Sequence, residues 1–184
     1  MNVNTLPRPP SSVVDAFRAA TSAWPPVAEV WIGYSGGADS TALLLAARVL
    51  GLPNGARLCA VHVNHGLHGD ARAWARHCVR VCEALDVPLT VRNVDVPSIG
   101  GGGPEARART ARRTVFEEMV DTHQLLCTAH HLEDQAETVL LRLARGAGID
   151  GLGGIAPLGR LGDGWIARPL LAADCESLRR WVNS

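Results

Sequence analysis

Gly33-Tyr34-Ser35-Gly36-Gly37-Ala38-Asp39-Ser40-Thr41 follows a short apolar run over residues 27–32 and opens a helical one over 42–50. A strand, a glycine-rich turn and a helix in that order form a phosphate cradle. Gly36 and Gly37 let the backbone approach an anion without a Cβ clash. The hydroxyls of Ser35 and Ser40, with the free N–H groups of the helix start, then point at the phosphate. The stretch has no Lys of the Walker type and is not GxGxxG. An Asp beside a polyphosphate is repelled unless a cation lies between them, so Asp39 predicts a divalent ion, Mg²⁺, shared with phosphate oxygens. An ordinary glycine-rich turn with Ser as a helix cap is the plainer alternative.

Working outward, strands alternate with helices. The patterning predicts helices over 12–23, 39–50, 70–85, 104–121, 132–145 and 174–182, and strands over 27–34, 57–64, 88–94, 124–129 and 165–167. Such alternation implies right-handed crossovers and a mostly parallel five-stranded sheet covered on both faces, an α/β three-layer sandwich. Ligands of these sheets sit beyond the carboxyl ends of the strands. Four loops that follow strands, over 35–40, 62–68, 99–105 and 130–134, therefore gather on one rim. The run Gly100-Gly101-Gly102-Gly103 in the third has no side chains to pin it.

The 184 residues divide into a tail and helix over 1–23 and one domain over 24–184. Hydrophobic content is 47% and charged content 20%, as in a globular chain. Net charge is zero, so bulk charge does not advertise nucleic-acid binding. All 18 basic residues are Arg. Five scattered cysteines read as small core residues in a reducing compartment, and no apolar run is long enough to span a bilayer, so a cytoplasmic protein without membrane contact is expected. Cys78 and Cys82 have no second pair to complete a zinc site.

His130-His131-Leu132-Glu133-Asp134-Gln135-Ala136-Glu137-Thr138 begins as a strand ends and continues as a helix. Asp134 and Glu137 lie three apart and share a helix face. Dipole stabilisation alone would favour acids there, but a negatively lined pocket would also receive an ammonium group or a metal. His62, His65 and His68 close the second strand, where splayed geometry makes purine contact or loop hydrogen bonding the better use of His62 and Asn64 than metal ligation. Arg109 and Arg112 share one helix face, which either grips phosphates or is simply solvated.

Taken together these stretches resemble the tRNA(Ile)-lysidine synthetase family, within the PP-loop (N-type) ATP pyrophosphatases. The matching residues are Ser35 to Ser40, the His62-Val63-Asn64-His65-Gly66-Leu67 loop, Glu105 with Ala108-Arg109 and Arg112, and His130 through Thr138. They continue in Arg145-Gly146-Ala147-Gly148 with Gly151-Leu152, and in Arg168-Pro169-Leu170-Leu171. The resemblance implies a Rossmann-like fold of the adenine nucleotide alpha hydrolase type. It also implies a ligase that joins L-lysine to C2 of the wobble cytidine of tRNA(Ile) with a CAU anticodon. ATP first adenylates the cytidine with loss of pyrophosphate, and the lysine amine then displaces AMP. On that resemblance Ser35, Gly36, Gly37, Ala38, Asp39, Ser40, His62 and Asn64 bind ATP, with Asp39 on Mg²⁺. Asp134 and Glu137 hold lysine near His130, and Arg109 and Arg112 stabilise phosphate. A homodimer is left open.

Departures from the family pattern are Glu133 for Asp, Arg113 for Tyr, His68 for Arg, and Ala147 for Ser or Thr. Relatives also continue past the position of Ser184 into further lysine- and tRNA-binding segments. If these 184 residues are the whole product, they are expected to bind ATP yet form little or no lysidine. The competing readings are a PP-loop tRNA thiolase, which would want paired cysteines near the site, and a non-catalytic ATP-binding remnant of a truncated synthetase.

Overall fold

The computed structural model describes residues 6–66, 70–95, 103–146, 148 and 152–184. His68, the glycines at 100–102, Ala147 and residues 149–151, all singled out in the sequence, lie outside the described residues.

Six strands form one sheet, in the order β3-β2-β1-β4-β6-β5. They are β1 (Glu29–Gly33), β2 (Arg57–Asn64), β3 (Leu89–Asn93), β4 (Gln124–Cys127), β5 (Leu158–Leu161) and β6 (Gly164–Ala167). The helices are α1 (Ser11–Thr21), α2 (Ala38–Leu50), α3 (Ala71–Ala84), α4 (Pro104–Met119), α5 (Leu132–Ala144) and α6 (Cys175–Val182). Four of the five pairings are parallel, and β5 joins β6 antiparallel.

The sequence predicts five strands, and β5 is the one it misses. Leu158-Gly159-Arg160-Leu161 is short, contains a glycine, and lies at the sheet edge, where only one neighbour supplies hydrogen bonds. The left-handed Gly162 (φ +53°) turns the chain into β6, and a Cβ there would fall on the Glu117 carbonyl. That tight approach locks the hairpin beneath α4.

Side-chain alternation along the strands sorts the two faces of the sheet. Val30 and Ile32 of β1, with Leu125 and Cys127 of β4, pack with Val13 and Phe17 of α1, Leu43 and Leu44 of α2, Cys78 and Cys82 of α3, and Leu178 and Trp181 of α6. On the opposite face Leu126, Val61 and Val63 meet Phe116 and Val120 at the end of α4, with Trp31 packed alongside. Helix α5 stands apart from both layers. None of its residues is buried, and Leu132, Leu140, Leu141 and Leu143 are exposed.

Crossovers leave β1 on either side of the β1/β4 boundary, since β2 lies to one side and β4 to the other. A crevice opens at such a switch point, beyond the carboxyl ends of the strands.

Candidate active site

That crevice is a cavity of about 720 Å³. Its walls come from the loop after β1 (Ser35, Gly37, Asp39, Ser40), the end of β2 (His62, Asn64, His65), the start of α3 (Trp74), α4 (Arg109, Arg112, Arg113) and the segment after β4 (Thr128, His130), with Arg168 after β6.

The loop after β1 is held by its own hydroxyls. Ser40 Oγ donates to the Gly37 carbonyl at 3.0 Å, and Thr41 Oγ1 donates to the same oxygen at 2.9 Å. Ser35 Oγ meets Ser40 Oγ at 3.0 Å and accepts the Gly37 N–H at 3.3 Å. Gly37 is the extended residue that precedes α2, so the free amides of the first turn open toward the cavity. Gly36 has φ +82°, and a Cβ on it would lie 2.9 Å from Cys78 Sγ and 3.2 Å from Trp74 Nε1. The Trp74 indole N–H donates to the Ser35 carbonyl at 2.5 Å. Helix α3 thus braces the back of the turn.

His62 is buried, and its Nδ1–H donates to the Tyr34 carbonyl at 2.9 Å, which fixes the turn to β2 and leaves Nε2 as the acceptor. Asn64 is likewise engaged in shaping the rim. Its amide nitrogen donates to Asn93 Oδ1 at 3.1 Å, and its oxygen accepts the Gly66 N–H at 3.2 Å. These are the loop hydrogen bonds that the sequence allowed for, and both residues still line the cavity.

Opposite the loop, charge of one sign accumulates. Arg109, Arg112, Arg113 and Arg168 all reach the cavity wall. Desolvation, and then the adjacent Arg109 guanidinium, lower the Arg112 pKa. Desolvation, and then Arg113, lower that of Arg168. Guanidiniums brought together against their own repulsion make a seat for an anion. His130 Nδ1 is hydrogen-bonded to Thr128 Oγ1 at 2.9 Å. Burial, followed by the Arg168 charge, holds the imidazole below its ordinary range.

The structure therefore brings Ser35, Gly37, Asp39, Ser40, His62, Asn64, Arg109, Arg112 and His130 to one cavity, with Gly36 and Ala38 inside the same turn. It does not bring Asp134 and Glu137 there. The Asp134 carboxylate accepts the His131 backbone N–H at 2.9 Å as a cap of α5, and Glu137 is exposed on that helix. Gln135 faces another way, clamping Ile155 through the backbone N–H (2.5 Å) and carbonyl (3.3 Å). Sequence reasoning assigned no role to Trp74, Thr128 or Arg168. Only Arg168 carried a signal, its place in the Arg-Pro-Leu-Leu stretch.

Asp39, one of two acids on the cavity wall with Asp70, belongs to the serine turn itself, at the positive end of α2. A carboxylate in the turn suits a hard cation that takes its remaining ligands from phosphate and water. Among the described residues no helix is long and apolar enough to cross a membrane.

Residues 14–184 match the PP-loop domain family. The chain is 47% identical over 149 residues to the tRNA(Ile)-lysidine synthase of Xanthomonas axonopodis pv. citri, an alignment covering 80% of this chain and 33% of that protein. It is 47% identical over 176 residues to the tRNA(Ile)-lysidine synthase of Burkholderia mallei, covering 93% and 35%. The chain thus spans about a third of the length of these curated relatives. Among solved structures, the U34-tRNA thiolase NcsA of Methanococcus maripaludis superposes with a TM-score of 0.70 at 18% identity, over 94% of this chain and 64% of that one. At that identity the likeness is one of fold.

Proposed function

We propose, starting from the fact that this chain belongs to the PP-loop family, that it carries the adenylating site of a tRNA(Ile)-lysidine synthetase. The substrates are ATP, the wobble cytidine of tRNA(Ile) with a CAU anticodon, and L-lysine. The observation that carries the reading is the arrangement of the cavity. A serine-closed turn with free amides and one carboxylate faces a group of arginines across a space large enough for a nucleotide.

In this reading the amides and hydroxyls from Ser35 to Ser40 hold the pyrophosphate part of ATP. Asp39 holds a magnesium ion, which neutralises phosphate charge when bound. Arg109 and Arg112, backed by Arg168, meet the charge that grows on the α-phosphate as the cytosine O2 attacks and pyrophosphate leaves. His62 and Asn64 keep the rim in place beside the base. The lysine ε-amine then attacks C2 and AMP departs. Asp134 and Glu137 hold the amino acid from the α5 side, and His130, kept neutral by its surroundings, takes a proton from the incoming amine. Little of this needs a protein nucleophile, because positioning and electrostatics supply the acceleration.

The thiolase alternative lacks support at the cysteines. Cys78, Cys82 and Cys127 are buried in the core, and burial raises each thiol, Cys78 to about 11 and Cys82 to about 12.

ATP–pyrophosphate exchange by this chain tests the reading, with unmodified tRNA(Ile) or its anticodon stem-loop present or withheld. Exchange is expected only with the RNA, and Asp39→Ala should lower it at least a hundredfold, as for loss of a group that stabilises the transition state. Exchange that needs no RNA, or that Asp39→Ala leaves unchanged, would remove the proposal.

A further inference from the structure

Asp39 has a second set of neighbours, which do not line the cavity. Three residues distant in sequence converge there: Asp39 from the first turn of α2, His131 just before α5, and Cys175 at the start of α6. One donor atom from each lies within 4.8 Å of the other two. Cys175 Sγ is 3.8 Å from Asp39 Oδ1, and His131 Nε2 is 3.8 Å from Asp39 Oδ2.

The orientation of these groups is set from behind by Glu133. Its Oε2 lies 3.0 Å from His131 Nδ1, and both carboxylate oxygens accept the Cys175 backbone N–H, at 3.1 and 3.0 Å. The imidazole is buried, with Nε2 toward Asp39 and Nδ1 beside the Glu133 carboxylate, where it has no hydrogen-bonded partner among the described residues. A carboxylate behind the imidazole, with an open nitrogen in front, is how proteins present histidine to a metal. The ligand spacing agrees. Zinc bonds of about 2.0 Å to N or O and about 2.3 Å to S place tetrahedral donors roughly 3.3–3.5 Å apart, a few tenths of an ångström closer than Cys175 and His131 each stand from Asp39, with all three donors inside 4.8 Å. A cleft of about 650 Å³, lined by His131, Glu133, Cys175 and Arg179 among others, gives an ion a way in and leaves space for a fourth ligand.

We propose that Asp39, His131 and Cys175 form a binding site for a borderline-soft divalent metal ion, zinc foremost, with water or an anion in the fourth position. Sulfur and imidazole donors select such an ion over magnesium, which takes oxygen. Binding forms the metal–sulfur bond and releases the thiol proton to solvent. The inference stands apart from the adenylation reading and shares only Asp39 with it. An ion held by all three residues withdraws Asp39 from phosphate-bound magnesium.

Metal-free protein titrated with Co²⁺, the spectroscopic stand-in for zinc, tests this. A thiolate-to-cobalt charge-transfer band should grow to one equivalent, vanish on adding Zn²⁺, and withstand excess Mg²⁺. Cys175→Ser should abolish the band. Glu133→Gln should weaken cobalt binding by about tenfold or more, the usual effect of losing a partner behind a ligand. X-ray absorption at the zinc edge of the unaltered chain gives a readout independent of any variant, with one sulfur expected among nitrogen and oxygen neighbours. Absence of the band, its survival in Cys175→Ser, or a zinc shell without sulfur would each overturn the proposal.

Discussion

Gly36 shows how much a single position carries. Its φ of +82° is a conformation that costs an L-residue about 1–2 kcal/mol. A methyl group would also press on Cys78 Sγ and the Trp74 indole nitrogen. Gly36→Ala should therefore lower stability by about 1–3 kcal/mol in urea denaturation. It should also weaken ATP binding, because relief of the clash moves the turn. Wild-type affinity in the folded variant would mean that this turn does not hold the phosphates.

His130 offers a test through pH. Burial, and the Arg168 guanidinium after it, keep its pKa in the folded chain below the ordinary 6.5. The unfolded chain thus takes up this proton first as the solution is acidified. The stability present above 6.5 is lost as pH falls from there toward the folded value. In His130→Asn the decline of the urea midpoint through that window should be shallower, while the two proteins agree at mildly alkaline pH. Parallel declines would assign the proton uptake to another group.

At the scale of elements, α5 is the unusual piece. It buries no residue, so polar contacts at its N-terminal end hold it: Asp134 on the His131 amide, Glu133 on the start of α6, and Gln135 on Ile155. The Gln135 amide meets both backbone groups of Ile155 and packs against the left-handed Gly154 (φ +63°). Gln135→Ala should cost about 1–2 kcal/mol, two ordinary hydrogen bonds in a partly buried setting. Hydrogen exchange should quicken at Ile155 and at the neighbouring β5 hairpin. Unchanged exchange at Ile155 would show that the clamp does not restrain that loop.

The same elements mark what could be read from the chain. Helices α2 and α5 were legible because each follows an apolar strand and opens on capping chemistry, and the loops before them were placed correctly on one rim. The roles of Glu133 and Gln135 were not legible. Their partners, Cys175 and Ile155, stand 42 and 20 residues away, and no local period links them. Cys175 lies 136 residues beyond Asp39, so only the docking of α6 beside α2 brings the thiol to that carboxylate. Trp74 reads in sequence as one more residue of an amphipathic helix. Its bond to Ser35 depends on the crossover that lays α3 behind the turn.

Across the whole molecule the sheet is two halves, β3-β2-β1 and β4-β6-β5, which share the single β1–β4 pairing. The cavity straddles that seam, with the serine turn and His62 on one side and His130 and Arg168 on the other. A nucleotide bound there ties the halves together, and any ligand that binds only the folded state adds its binding free energy to stability. At a hundredfold excess over Kd that is about 2.7 kcal/mol. For a chain of this size it should raise Tm by about 5–10 °C. Arg112 separates this effect from stability of the fold. Its guanidinium is held against desolvation and the charge of Arg109, so Arg112→Ala relieves repulsion in the empty cavity. The variant should melt no earlier than the wild type without ligand, and should lose most of the rise that ATP confers. A full ATP-induced rise in Arg112→Ala would place the phosphates away from α4, and a lower Tm without ligand would show that the arginine stabilises the fold rather than waiting for an anion.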